Sequence, residues 1–102
     1  MEWIESVTGK KINNNNGDYS EDLKDGLILI DLLNKKRPGT VQKYNKNPKM
    51  PFVKMENINT FLEGCRAVGV NDLHLFVTVD LYEAQNMVKV TDSLIALKKT
   101  IG

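Results

Sequence analysis

A stretch with almost no polar face dominates this sequence. Residues 22–39 read DLKDGLILIDLLNKKRPG, with Leu23, Leu27, Ile28, Leu29, Ile30, Leu32 and Leu33 crowded together. Wound into a helix at about 100° per residue, they leave one narrow hydrophilic stripe through Lys24, Asp31 and Lys35. A helix that apolar all round belongs in the middle of a bundle, with partners on several sides. It is far shorter than the ~20 apolar residues of a membrane span, and Asp25 and Asp31 interrupt it. Gly26 inside such a helix costs about 1 kcal/mol relative to Ala, so the sequence predicts a second helix crossing close to the backbone there. Ser20 or Asp22 is placed to cap the helix. Lys35, Lys36 and Arg37 suit the negative end of its dipole, and Pro38-Gly39 stops it.

Other helices follow from periodicity. Trp3, Ile4 and Val7 share a face of a short first helix that Gly9 can close as its C′ residue. Asn13, Asn14, Asn15, Asn16 and Gly17 read as a polar loop. Residues 40–51 have no period, and Val41 and Tyr44 are their expected anchors on the core. Phe52, Met55, Ile58, Leu62 and Cys65, widened by Phe61 and Val68, then repeat at three- and four-residue steps. They predict an amphipathic helix of about 17 residues ended by Gly69. Residues 71–76 read as one helical turn capped by Asn71 or Asp72, and residues 80–85 as another short helix. Residues 77–79 are β-branched but too few and unpaired for a strand. Met87, Val90, Leu94, Leu97 and Ile101 give the last helix. The expected fold is all-α, a single domain over residues 1–102 with four main helices and short connecting ones.

Chemistry is sparse. One histidine, His74, and one cysteine, Cys65, cannot build a structural zinc site. No third group is in view to orient a Cys–His pair. Cys65 falls on an apolar helix face, where a buried thiol is expected. An EF-hand reading of NNNNGD fails because Ile12 and Leu23 would occupy ligand positions. A phosphate-loop reading of Gly9-Lys10 fails because Ile4 stands where the first glycine belongs. The chain therefore reads as a binding module, not an enzyme, with no catalytic residue, metal or cofactor.

Charge supplies the main positive feature. The net charge of +1 over 102 residues exerts no global pull on nucleic acid. Yet residues 35–54 hold Lys35, Lys36, Arg37, Lys43, Lys46, Lys49 and Lys54 and no acidic residue. The 14 basic and 13 acidic residues of the chain thus leave 7 against 13 elsewhere. Such a segment is either a solvated loop or a contact for an acidic polymer or an anionic lipid face. With only Tyr44 and Phe52 as rings and no reading motif, nucleic acid is not expected. The lone cysteine and the absence of a signal peptide fit a cytoplasmic protein, or one module of a longer chain.

Five segments in register resemble the calponin homology family, closest to the single type 3 domain of calponin and transgelin. They are Trp3-Ile4-Glu5-Ser6-Val7-Thr8-Gly9; Leu23-Lys24-Asp25-Gly26-Leu27-Ile28-Leu29; Asn34-Lys35 with Arg37-Pro38-Gly39; Glu56-Asn57-Ile58 with Phe61-Leu62; and Val68-Gly69-Val70 with Phe76 and Asp80-Leu81-Tyr82-Glu83. The resemblance implies a bundle of four principal helices. It implies structural roles for Trp3, Asp25, Gly26, Pro38, Asn57, Asp80 and Leu81, with Asn57 tying a helix to a neighbouring loop.

It also implies a cytoskeletal function. Family pairs bind filaments through the first and last helices of the leading domain, where the last helix carries Lys followed by apolar residues. Here Lys89 matches, whereas Asp92 and Ser93 depart. The expected partner is F-actin, bound weakly by a monomer, with a weak anionic-lipid contact as an accessory. The candidate contacts are Lys35, Lys36, Arg37, Lys43, Lys46, Lys49, Lys89, Lys98 and Lys99. The alternative is a protein–protein adaptor or autoregulatory domain of a cytoskeletal signalling protein, such as a Rho-family exchange factor, without autonomous actin binding.

Overall fold

The computed structural model describes residues 2–10 and 20–102, and every regular element among them is helical. In order these are α1 (Glu2–Thr8), α2 (Ser20–Leu23), α3 (Leu27–Lys36), α4 (Pro51–Ala67), a 3-10 turn (Asp72–His74), α5 (Thr78–Tyr82) and α6 (Met87–Ile101). The polar loop expected after Gly9 lies outside the described residues.

α3 is the hub. Leu29, Ile30, Leu32 and Leu33 are buried, and the helix packs against α1, α2 and α4. The core around it takes Ile4 from α1, Ile58, Phe61 and Leu62 from α4, Leu81 from α5, and Val90, Leu94 and Leu97 from α6. Phe61 and Phe76 stack with ring centroids 6.5 Å apart. Trp3 packs against this core half-buried, and Ile4 beside it is fully buried.

The central helix is not continuous, contrary to the sequence expectation. The chain leaves helix after Leu23 and re-enters it at Leu27. Gly26 is not in a helix interior: it has φ +78° and stands at the N-cap of α3. Its N–H donates to Leu23 O at 3.0 Å. At the start of α3 the Asp25 Oδ1 accepts from Leu27 N at 3.0 Å. Hydrophobic periodicity runs unbroken through this point, so it cannot reveal a one-residue left-handed break. The predicted close crossing is nevertheless there. A Cβ on Gly26 would stand 2.8 Å from Asn57 Cβ and 3.0 Å from the backbone of Asn57 and Ile58 on α4.

Asn57 locks that crossing. It is buried, and its Nδ2 donates to Asp25 O (3.1 Å) and Asn45 O (2.8 Å), while its Oδ1 accepts from Asn45 N (3.0 Å). One amide thus joins α4 to the α2–α3 break and to the irregular segment 40–50. Asn34 does the same from α3: its Nδ2 donates to Val41 O (2.9 Å) and its Oδ1 accepts from Val41 N (2.8 Å). Each asparagine satisfies backbone groups that an irregular segment would otherwise leave unpaired.

Two further expectations change. Phe52, read as the first member of the α4 core stripe, is 58% exposed, because the apolar period runs one turn past the point where the bundle covers it. The short helix before α6 is Thr78–Tyr82 and starts two residues early. Asp80 explains the shift: its Oδ2 accepts from Val77 N at 3.1 Å, fixing the helix start.

Candidate functional site

The acid-free segment enters the fold at the C-terminal end of α3, where Lys35 and Lys36 occupy the last turn. α6 ends in the same way, with Lys98 and Lys99 in its last turn. The two ends meet. Arg37 Nη1 donates to Lys36 O at 3.0 Å and to Ile101 O at 3.4 Å. Two helix C-termini, each a partial negative charge, are therefore dressed with cations at one place on the surface. Lys35, Arg37, Lys98 and Lys99 are exposed there, and Lys36 is half-buried.

From this junction the chain runs back along α4. Thr40, Val41, Gln42 and Lys43 face Thr60, Glu63, Gly64 and Ala67 across a shallow groove of about 320 Å³. Gly64 permits the approach: a Cβ there would meet Leu33 Cδ2 at 2.5 Å. The segment then reaches Asn57 through Asn45, and Lys46 and Lys49 stand exposed beyond it. The fold thus spreads Lys43, Lys46 and Lys49 along α4 and brings Arg37 to Lys98 and Lys99. It also places Glu63 across the groove from Lys43, a carboxylate invisible in a one-dimensional count of charge. Ion pairs between described residues join Lys10 to Asp31 (3.8 Å) and Arg66 to Asp72, and neither of these engages a candidate cation.

Lys89 differs from the other candidates. It lies ten residues before Lys99, about 15 Å up α6 at 1.5 Å per residue, and its Nζ donates to Leu73 O at 2.8 Å. Its neighbour Ser93, a departure from the filament-binding pattern, is buried and makes three bonds. Ser93 Oγ accepts from Phe76 N (2.8 Å), contacts Lys89 O (2.9 Å), and donates to His74 O (2.6 Å). A hydroxyl is required there to pin the 72–76 segment to α6. Its signal in the sequence is a lone serine on an otherwise apolar helix face. Asp92 is exposed beside it.

Cys65 is buried, and burial pushes its thiol up to about 12 against an ordinary 9.0, with Arg66 pulling weakly the other way. A thiol held protonated is neither nucleophile nor ligand. Among the described residues, no group of three or more His, Cys, Asp and Glu side chains could hold a metal ion. No helix among them is long and apolar enough to cross a membrane.

The family model of the calponin homology (CH) domain matches residues 1–101. The chain belongs to the calponin homology family. It is similar to Myophilin of Echinococcus granulosus, with 45% identity over 100 residues, covering 98% of this chain and 52% of the relative. It is also similar to Calponin-1 of Meleagris gallopavo, at 43% over 95 residues, 93% of this chain and 52% of the relative. Calponin-2 of Sus scrofa is 40% identical over 95 residues, with 93% of this chain and 31% of the relative covered. The chain thus spans about half the length of the first two relatives and about a third of the third. Among solved structures, the crystal structure of the calponin-homology domain of Rng2 from Schizosaccharomyces pombe superposes with a TM-score of 0.77 at 28% identity. That match covers 94% of this chain and 60% of the other.

This CH domain is of the calponin and myophilin type, and its motif residues divide by role. Asp25, Gly26, Asn57 and Asp80 make the caps and crossings described above, and Leu81 is fully buried. Pro38 is exposed in the turn that ends α3. Most motif residues are scaffold, whereas Lys35 and Arg37 belong to a family motif and to the candidate contacts alike.

Proposed function

We propose that this CH domain is a cytoskeleton-associated binding module, not an enzyme, and that it contacts F-actin directly but weakly. Relationship to calponins supports the cytoskeletal setting. The observation that carries the site is the junction at Arg37, where the basic ends of α3 and α6 meet at the start of a segment with no acidic residue. Lys35, Lys36, Arg37, Lys98 and Lys99 form one cluster in this reading, and Lys46 and Lys49 extend it. Lys43 contributes less, because Glu63 faces it. Lys89 contributes least, because its ammonium already serves Leu73. A contact built from exposed ammonium groups is steered and sequence-tolerant but adds little affinity per charge, which makes it weak and salt-sensitive.

Co-sedimentation with filamentous actin at low and physiological salt tests this. Pelleting that falls as salt rises is the expected result. Replacing Lys43, Lys46 and Lys49 by Glu should reduce it, and replacing Lys98 and Lys99 by Glu should reduce it further. Unchanged pelleting in both variants would overturn the site. No pelleting at either salt would overturn direct filament binding by this chain. The adaptor reading is not favoured, since Ser93, part of its motivation, is committed to the scaffold.

A further inference from the structure

α6 carries a second stripe. Its buried face holds Val90, Leu94, Leu97 and Ile101. Val88, Asp92, Ile95 and Lys99 follow one another at steps of four, three and four. At about 100° per residue they fall within a strip of about 60° on the opposite side of the helix. All four are exposed, Val88 by 73% and Ile95 by 47%. Four-three spacing is the pattern of a seam between two helices, yet this seam faces water. Beside it lies a shallow groove of about 340 Å³ between α6 and the segment 69–74. Gly69, Val70 and Ala96 line it along with Asp92, Ile95 and Lys99. The stripe thus presents an apolar ridge at Ile95 next to a hollow, with an anion on one side of it along the helix and a cation on the other.

We infer that this face docks a second copy of the chain, with α6 packed antiparallel on α6. The charge pattern selects that occupant. The midpoint between Asp92 and Lys99 falls between Ile95 and Ala96, so each charge stands about 5 Å from it along the helix axis. A two-fold axis through that point sets Asp92 against the partner's Lys99 and Lys99 against the partner's Asp92. It also brings Ile95 to the partner's hollow beside Ala96. A parallel pairing in register would set like charge on like. The patch is its own complement, as a closed two-fold contact requires. Among the described residues neither Asp92 nor Lys99 has an ion-pair partner within the chain, so both charges are available. Exposed pairs set orientation more than affinity, and one helix face lies at the small end of interface sizes. The dimer is therefore weak and forms with rising concentration, in contrast to the monomer expected from the sequence. It shares Lys99 with the filament contact but does not rest on that reading.

Sedimentation equilibrium of the wild-type chain over a range of concentrations tests this. A monomer–dimer equilibrium that weakens as salt rises is expected. Asp92→Lys and Lys99→Asp each bring like charges together, and each should weaken self-association about tenfold. An equimolar mixture of the two variants should associate again, because every pair across the two-fold is then opposite in sign. Ile95→Ser should weaken association without changing its salt dependence. All of these side chains are exposed, and thermal unfolding of each variant checks that it is folded. Wild type that stays monomeric at every concentration, association unchanged by Asp92→Lys, or no recovery in the mixture would overturn the inference. The measurement contains no actin, so its failure leaves the filament contact standing, and a failure of pelleting leaves this pairing standing.

Discussion

Replacing Gly26 by Ala isolates the energetic value of the α3–α4 crossing. Two costs arise. The first is conformational: φ at Gly26 is +78°, a region that costs an L-residue about 1–2 kcal/mol. The second is steric. The new methyl would stand 2.8 Å from Asn57 Cβ and 3.0 Å from Asn57 C and Ile58 N. Those atoms belong to the backbone and first side-chain carbon of a helix interior, which cannot rotate away, and overpacking of this kind costs about 1–3 kcal/mol. Pushing α4 outward would also stretch the three bonds of Asn57, each contributing about 1 kcal/mol.

The conformational and steric costs together come to about 2–5 kcal/mol, a large share of the stability of a small domain. Gly39 supplies the control. Its φ is +82°, but nothing lies within 4 Å of its absent Cβ. Gly39→Ala should therefore cost only the conformational part, about 1 kcal/mol. Urea unfolding of wild type and both variants measures the difference directly, with an unchanged m-value as the check that only native-state energetics moved. If the two substitutions cost the same within about 0.5 kcal/mol, the crossing is slack and the reasoning fails. In a double-mutant cycle, Asn57→Ala should add less to Gly26→Ala than it costs alone.

Other outcomes follow from the same geometry. Ser93→Ala should destabilise by about 1–3 kcal/mol, because it strips the buried Phe76 N–H of its acceptor. Thr100→Ala, whose hydroxyl bonds only Ala96 O of its own helix on the surface, should be near neutral by thermal unfolding. Native Cys65 should resist thiol reagents and react only as fast as the domain opens, whereas its reaction in urea should be immediate. Because burial raises its thiol to about 12 from 9.0, the native state keeps a proton that the unfolded chain loses. That stability is whole below pH 9 and is lost as pH rises from 9 toward 12, by about 1.4 kcal/mol per unit. Comparing wild type with Cys65→Ala across pH 8 to about 11 isolates it: the gap should shrink with pH, and a constant gap would contradict the burial.

The sequence and the fold agree where apolar spacing decides the matter. Leu29, Ile30, Leu32 and Leu33 had to be buried on several sides, and α3 is the hub. Val90, Leu94, Leu97 and Ile101 step along one face, and α6 buries that face. Periodicity carries no information on where a helix breaks for one residue, so the turn at Gly26 was hidden inside an unbroken apolar run. Nor can it say where a core stops, so Phe52 continued a stripe that the bundle does not cover. The polar locks were hard to see for a different reason. Asn34, Asn57 and Ser93 act on carbonyls and amides of segments distant in the chain, and a single polar residue does not announce its partner. The candidate surface was half visible: a run of cations shows in the sequence, but its junction with α6 and the opposition of Glu63 to Lys43 exist only in three dimensions.

That separation makes the binding readings open to test. The residues that hold the irregular 40–50 segment are Asn34, Val41, Asn45 and Asn57, whose amides and backbone groups bond one another. The ammonium groups of Lys43, Lys46 and Lys49 take no part in those bonds and stand exposed. Reversing their charge changes the field over the surface and leaves the locks in place, so the cost in stability should stay within about 0.5 kcal/mol. A loss of filament pelleting in such a variant would then report on the contact itself. The same does not hold for Lys89, whose replacement would also release Leu73 O. Variants at Lys89 would mix folding with binding, and a drop in pelleting there could be assigned to the surface only if the unfolding midpoint were unchanged.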